Sequence, residues 1–146
     1  MFIPESFKLY ELLPKAQFQL WWPRHRENLW HAFGFELPWT LQQIRNGYGG
    51  KRMYINNWWW GGSSELRGWR PMDCPIGAIS STHKFFRAVD FTMDGISAEQ
   101  IRLDIKCNPD VPMFKHIRRV EEDVSWMHID FGNHDREFQG IRWIKP

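Results

Sequence analysis

Two histidines and an aspartate, His83, Asp90 and His128, have the side-chain chemistry of an open metal site. Zinc in catalytic sites is typically held by three protein ligands, imidazole nitrogens and a carboxylate oxygen among them, with the fourth position left to water or substrate. A metal held in this way lowers the pKa of bound water to about 7 and polarises a carbonyl, and an amide hydrolase needs both.

Local patterning supports convergence of the three. From Val124 to Phe131 apolar and polar side chains alternate. In a strand, Met127, Ile129 and Phe131 then share a core face, while Trp126, His128 and Asp130 share the other. His128 and Asp130 stand roughly 7 Å apart at ~3.3 Å rise per residue. Val89 and Phe91 flank Asp90 in the same way, so a second strand points its carboxylate to the same side. Pairing the two strands brings the polar groups together.

The remaining elements must position this pair. Residues 1–23 carry Pro4, Pro14 and Pro23 and read as an irregular wrapping segment with one short helix around Phe7 to Leu13, followed by a helical stretch over 24–33. Leu37, Leu41, Ile44 and Tyr48 recur at helical spacing, with Pro38 suited to a first turn and Gly47 to a stop. Residues 53–58 read as a strand. In that strand Trp58 and Trp60 face one way and Trp59 the other, so the triplet cannot all be core, and Trp58 and Trp60 are expected to line a groove beside the metal. The glycines and prolines of 60–80 make a long loop, a feature often functional in compact domains, leading into His83. Ser97 can cap a helix, with Gln100 three residues on as in a capping box and Ile96 packing on Ile101, and Asn108-Pro109 ends it. Strands over 117–120 and 124–131 pair across Glu121-Glu122-Asp123, which sets Glu121 near the metal edge, and 141–144 adds a last strand. The expected architecture is a single α+β domain with a small, mainly antiparallel sheet flanked by helices and the metal on the open sheet face. Its first 36 residues wrap a catalytic core over 37–146.

Arg70, Ser81-x-His83, Ala88-x-Asp90 and Trp126-x-His128-x-Asp130 resemble the zinc D-alanyl-D-alanine carboxypeptidases and the related phage L-alanyl-D-glutamate endolysins, which cut peptidoglycan stem peptides. The resemblance runs from Met53 to Phe131, and the seven-residue spacing from His83 to Asp90 is its most specific element. Ile55-Asn56-Asn57-Trp58, Gly61-Gly62 and Gly68-Trp69-Arg70-Pro71 are similar to runs in small phage-borne members. The resemblance implies Zn2+ as cofactor on His83, Asp90 and His128, a peptidoglycan stem peptide as substrate, and Arg70 gripping a substrate carboxylate with its planar guanidinium. Ser81 either bonds substrate or supports the loop. Two positions depart from the pattern. Phe86 stands where the family commonly has glycine, implying a different backbone or pocket there. Ser125 stands three residues before His128, where better-known members place a catalytic carboxylate. The general base must come from elsewhere: Glu121 is the first candidate, and Asp130 the second, unless Asp130 instead orients an imidazole.

Composition bounds the function. The 146 residues suffice for one domain with a real core. Nineteen Lys and Arg against seventeen acidic residues leave a net charge of +2, too small to argue for nucleic acid. Cys74 and Cys107 form no Cys-x-x-Cys pair and read as free thiols. No apolar run approaches the ~20 residues that span a bilayer, and the N-terminus lacks the pattern of a secretory signal. The expectation is a monomer made in the cytoplasm that reaches the cell wall on release or as part of a virion. Two other classes fit the same residues: a non-heme iron oxygenase using two histidines and one carboxylate, and a non-catalytic wall-binding or virion component that uses the tryptophans.

Overall fold

The computed structural model describes residues 1–132, 138 and 140–146. A five-stranded mixed sheet carries the molecule. Its strands are β1 (Met53–Tyr54), β2 (Ala88–Met93), β3 (Arg119–Glu121), β4 (Met127–Asp130) and β5 (Arg142–Ile144), in the order β1-β2-β4-β3-β5. Every pairing is antiparallel except that of β3 with β5.

The pairing of β2 with β4 sets the two faces. Its register joins Val89 to Ile129, Asp90 to His128, and Phe91 to Met127. Opposite residues of an antiparallel pair point to the same side and successive ones to opposite sides. Val89, Phe91, Met127 and Ile129 therefore share one face, and all four are 0 % exposed within the core. Asp90, His128 and Asp130 share the other face and are also buried, so this sheet is covered on both sides. The cover over the polar face includes the loop that brings in His83.

The core side is closed by helices. In α2 (Glu36–Gly47), Leu37, Leu41 and Ile44 make a fully buried stripe, as their spacing predicts. In α3 (Ala98–Cys107), the Ser97 hydroxyl accepts the Gln100 backbone N–H at 3.1 Å, which satisfies one of the free donors of the first turn, and Ile101 and Ile105 are buried. β3 and β4 pair as expected, but β3 runs on through Glu121 and the connection is 122–126 rather than Glu121-Glu122-Asp123.

Two expected elements differ. Residues 15–25 form a helix, α1, rather than an irregular segment, with Pro14 at its N-cap and Pro23 in its last turn. Pro14 stands outside the helical hydrogen bonds, and Pro23 removes one bond near the end, so two prolines that read as breakers instead flank a helix. None of its residues is fully buried, and no apolar periodicity announces it. Around it Phe7, Leu9, Leu12, Leu13, Trp30 and Phe33 join the hydrophobic core. The strand expected over 53–58 stops at Tyr54, and Trp58–Trp60 is a turn of 3-10 helix. Asn57 closes that turn: its N–H donates to the Ser64 carbonyl, and its own carbonyl accepts from Trp60 and Gly62. Among the described residues no helix is long and apolar enough to cross a membrane.

Candidate metal centre

The three expected ligands meet. His83 Nε2, Asp90 Oδ1 and His128 Nδ1 converge, with all ligand atoms within 4.8 Å of one another. Asp90 and His128 are brought together by strand register. His83 comes from a 3-10 turn, Thr82–Phe85, that lies over the polar face of the sheet, and Arg87 N–H and Arg70 N–H bind the Thr82 and His83 carbonyls to hold that turn in place.

Each side chain is oriented by a second contact. His83 Nδ1 lies 2.6 Å from the Gly68 carbonyl. A carbonyl only accepts, so Nδ1 carries the proton and the Nε2 lone pair is directed at the cluster. Arg70 Nη2 donates to Asp90 Oδ2 at 2.7 Å, which leaves Oδ1 for the two imidazoles. Gly68 cannot be replaced here without movement, because a Cβ on it would meet the Leu12 backbone at 2.2 Å.

The separations fit a tetrahedral ion on two edges out of three. Ligands at ~2.0–2.1 Å from a tetrahedral zinc stand roughly 3.3–3.4 Å apart. His83 Nε2 is 3.3 Å from His128 Nδ1 and 3.4 Å from Asp90 Oδ1. Asp90 Oδ1 and His128 Nδ1 are closer, at 2.6 Å, a charge-assisted hydrogen bond that an ion would replace by opening that edge. The donor set of two nitrogens and one carboxylate oxygen is therefore suited to zinc, and the same set suits other divalent ions.

Electrostatics reinforce the arrangement. Burial alone would raise the Asp90 carboxyl, but bonds from His128 and His83 outweigh it and hold Asp90 well below the usual carboxylate range. Burial would likewise lower the His128 imidazole, yet the Asp130 and Asp90 carboxylates push it up to about 9. Of those two, Asp90 is hydrogen-bonded at 2.6 Å, whereas Asp130 Oδ2 lies 3.8 Å from His128 Nε2 and acts through charge.

The other expected site residues divide into groups. Asp130 is 0 % exposed and committed: Arg119 Nε donates to it at 2.6 Å, Thr82 Oγ1 at 3.2 Å and the Gly132 N–H at 3.2 Å. That is the setting of an orienting carboxylate. Glu121 is half-buried. The register of Arg119 with Asp130 and Val120 with Ile129, carried on by one residue, sets Glu121 opposite His128 on the same face. Arg70, expected as a free anchor, already binds Asp90 and donates its Nε–H to the Leu66 carbonyl at 2.7 Å. Its guanidinium positions the ligand carboxylate rather than standing ready to grip two substrate oxygens. Ser81 heads the turn that carries His83, and its carbonyl accepts from the Lys84 N–H, so it supports the loop. Trp58 donates its indole N–H to the Leu13 carbonyl at 2.9 Å and is taken up by packing, whereas Trp59 and Trp60 are exposed.

Phe86 resolves its own departure. Its φ is +59°, the left-handed conformation that glycine adopts freely. The backbone is thus of the glycine type, and the expected change lies in the side chain. The Phe86 ring stacks on Trp69 at 5.2 Å and meets Phe33 edge-on at 5.1 Å, contacts that offset the strain.

Residues not foreseen from the sequence complete the centre: Gly68, Thr82, Arg119 and Arg102. Arg119 was legible in principle, since antiparallel register places it opposite Asp130. Buried Arg102 donates to the carbonyls of Glu121, Val124 and Trp126, and so ties the end of β3 and the turn after it to α3. Nothing in the local pattern of α3 announces that role.

The chain matches no protein-family model, no curated protein and no solved structure.

Proposed function

We propose that this chain is a zinc-dependent peptidase of peptidoglycan stem peptides. The observation that carries the reading is the convergence of His83, Asp90 and His128 within 4.8 Å, each with an orienting partner or a charged neighbour. The motif resemblance over Met53–Phe131 supplies the substrate class. Bound there, zinc supplies a Lewis acid and an acidified water.

The protein's own groups divide the remaining work. Glu121, level with His128 on the same face, takes the proton from the nucleophile and returns it to the leaving amine. Asp130, held by Arg119 and Thr82, keeps a negative charge beside the His128 ring. Arg70 holds Asp90 in place. The test is metal analysis of the purified protein together with incubation on purified murein, scored by new free amines. The expected result is about one zinc per chain and amine release, with both lost in His83→Ala. Glu121→Gln should keep zinc and lose ~10²–10⁴-fold in turnover. A parent protein that binds no zinc would sink the proposal, and iron in its place would revive the oxygenase reading.

A second reading, a non-catalytic wall-binding protein of the same fold, draws on Ser125 occupying the position of the missing carboxylate. Zinc bound without any amine release selects it.

A further inference from the structure

Sheet parity carries a second site onto the face that holds the metal cluster. Tyr54 on β1 pairs with Thr92 on β2, and Thr92 is two residues from Asp90, so Tyr54 and Asp90 project to the same side. At ~3.3 Å per residue along a strand and ~4.8 Å between strands, their Cα atoms lie roughly 8 Å apart. At Tyr54 opens a cleft of about 460 Å³. Four of the residues lining it are aromatic, and their rings form an unbroken series: Tyr10 to Trp59 at 4.9 Å, Trp59 to Trp60 at 4.9 Å, and Trp60 to Tyr54 at 5.5 Å. Trp59 and Trp60 are 41 % and 49 % exposed, an arrangement that folding alone does not favour.

The polar groups along the cleft are of both signs: Lys8, Arg45 and Arg52 are cationic, and Glu11 is a carboxylate. Glu11 Oε1 accepts the Lys8 N–H, Arg45 Nη1 donates to the Ser6 carbonyl and the Tyr54 hydroxyl donates to Asp94. Among the described residues, the indole N–H groups of Trp59 and Trp60, the Tyr10 hydroxyl and the Arg52 guanidinium have no hydrogen-bond partner. An occupant must therefore present a flat apolar face to the rings and an edge that both donates and accepts. A sugar ring does so, with C–H groups on its face and hydroxyls around its rim. An apolar peptide would leave the free donors unpaired.

We infer that this cleft binds a saccharide of N-acetylated amino sugars. Resting on the reading of the metal centre as a peptidoglycan peptidase, it seats the glycan strand beside the stem peptide being cut. Tyr54 at the cleft and Asp90 in the cluster lie on one face with Cα atoms roughly 8 Å apart, a span that one wall fragment bridges.

Titration of the purified protein with β-1,4-linked N-acetylglucosamine tetramer, followed through the indole N–H resonances, tests the inference. Saturable shifts of Trp59 and Trp60 are expected. Trp60→Ala and Arg52→Ala should each weaken binding about tenfold while zinc content and cleavage of a short soluble stem peptide stay unchanged. Absence of indole shifts, equal affinity in both variants, or equally tight binding of ATP overturns it. Tetramer binding without any peptide cleavage would overturn the peptidase and keep the cleft. Peptide cleavage without tetramer binding would do the reverse.

Discussion

At the metal cluster, His83, Asp90 and His128 are 2 %, 6 % and 8 % exposed, and their remaining polar atoms face Gly68, Arg70 and Asp130. At the aromatic cleft on the same face, two indoles are more than two-fifths exposed and their N–H groups are free. The difference fits the role proposed for each region. Ligands for an ion have to be held to a fraction of an ångström before the ion arrives, which demands a rotamer locked by packing and by outer hydrogen bonds. A surface that binds by stacking needs only rigid rings and unspent donors, and tolerates solvent until the ligand displaces it. The cluster has therefore bound nearly all of its hydrogen-bonding capacity internally, whereas in the cleft the two exposed indoles, the Tyr10 hydroxyl and the Arg52 guanidinium keep theirs while Glu11, Arg45, Tyr54 and Asn56 are bonded within the protein.

That contrast breaks most sharply at Asp90. Asp90→Ala leaves the partly buried Arg70 guanidinium and both imidazoles without the Asp90 carboxylate. Zinc should be lost, and unfolding in urea should show a loss of ~3–5 kcal/mol, the usual cost of stripping one partner from a buried ion pair. Stability within ~1 kcal/mol of the parent would mean that the cluster is less tightly coupled than its geometry implies.

Proton counting sharpens the same side of the comparison. The folded-state value of His128, about 9, lies above the ordinary imidazole value near 6.5. In the metal-free protein this group therefore contributes stability that is complete below about pH 6.5 and is lost as pH rises through about 9. Zinc takes only the neutral imidazole. At pH 7.5 its uptake should release about one proton from His128, readable by calorimetry in two buffers of different ionisation enthalpy. Uptake with no proton release would place the ion elsewhere.

Phe86 gives a smaller effect with a clear sign. Both Phe86→Ala and Phe86→Gly lose the ring contacts with Trp69 and Phe33, but only alanine keeps a Cβ at φ +59°. The glycine variant should be the more stable of the two by about 1 kcal/mol in denaturant unfolding. Equal stabilities would show that the left-handed backbone costs nothing here. The cleft should respond least of all: Arg52→Ala should change stability by no more than ~0.5 kcal/mol and leave the zinc content untouched. A larger loss would mean that Arg52 supports the fold rather than a ligand.

Much of this was legible along the chain because it depends on local period. Alternation around Asp90 and His128 put both on the polar side of strands, since side chains on a pleated strand alternate whatever they pack against. The 3.6-residue stripe of Leu37, Leu41 and Ile44 and the Ser97 cap marked α2 and α3 for the same kind of reason. The helix at Lys15–His25 and the 3-10 turn at Trp58–Trp60 escaped, because the first has no buried stripe and the second is closed by Asn57 reaching Ser64. Tertiary structure alone decided that Arg70 is spent on Asp90, that Asp130 belongs to Arg119 and Thr82, and that Trp58 packs while Trp59 and Trp60 stay open. Those are choices among partners distant in sequence. Residue type states which bonds a side chain can make, whereas the fold determines which partner stands within 3 Å of it.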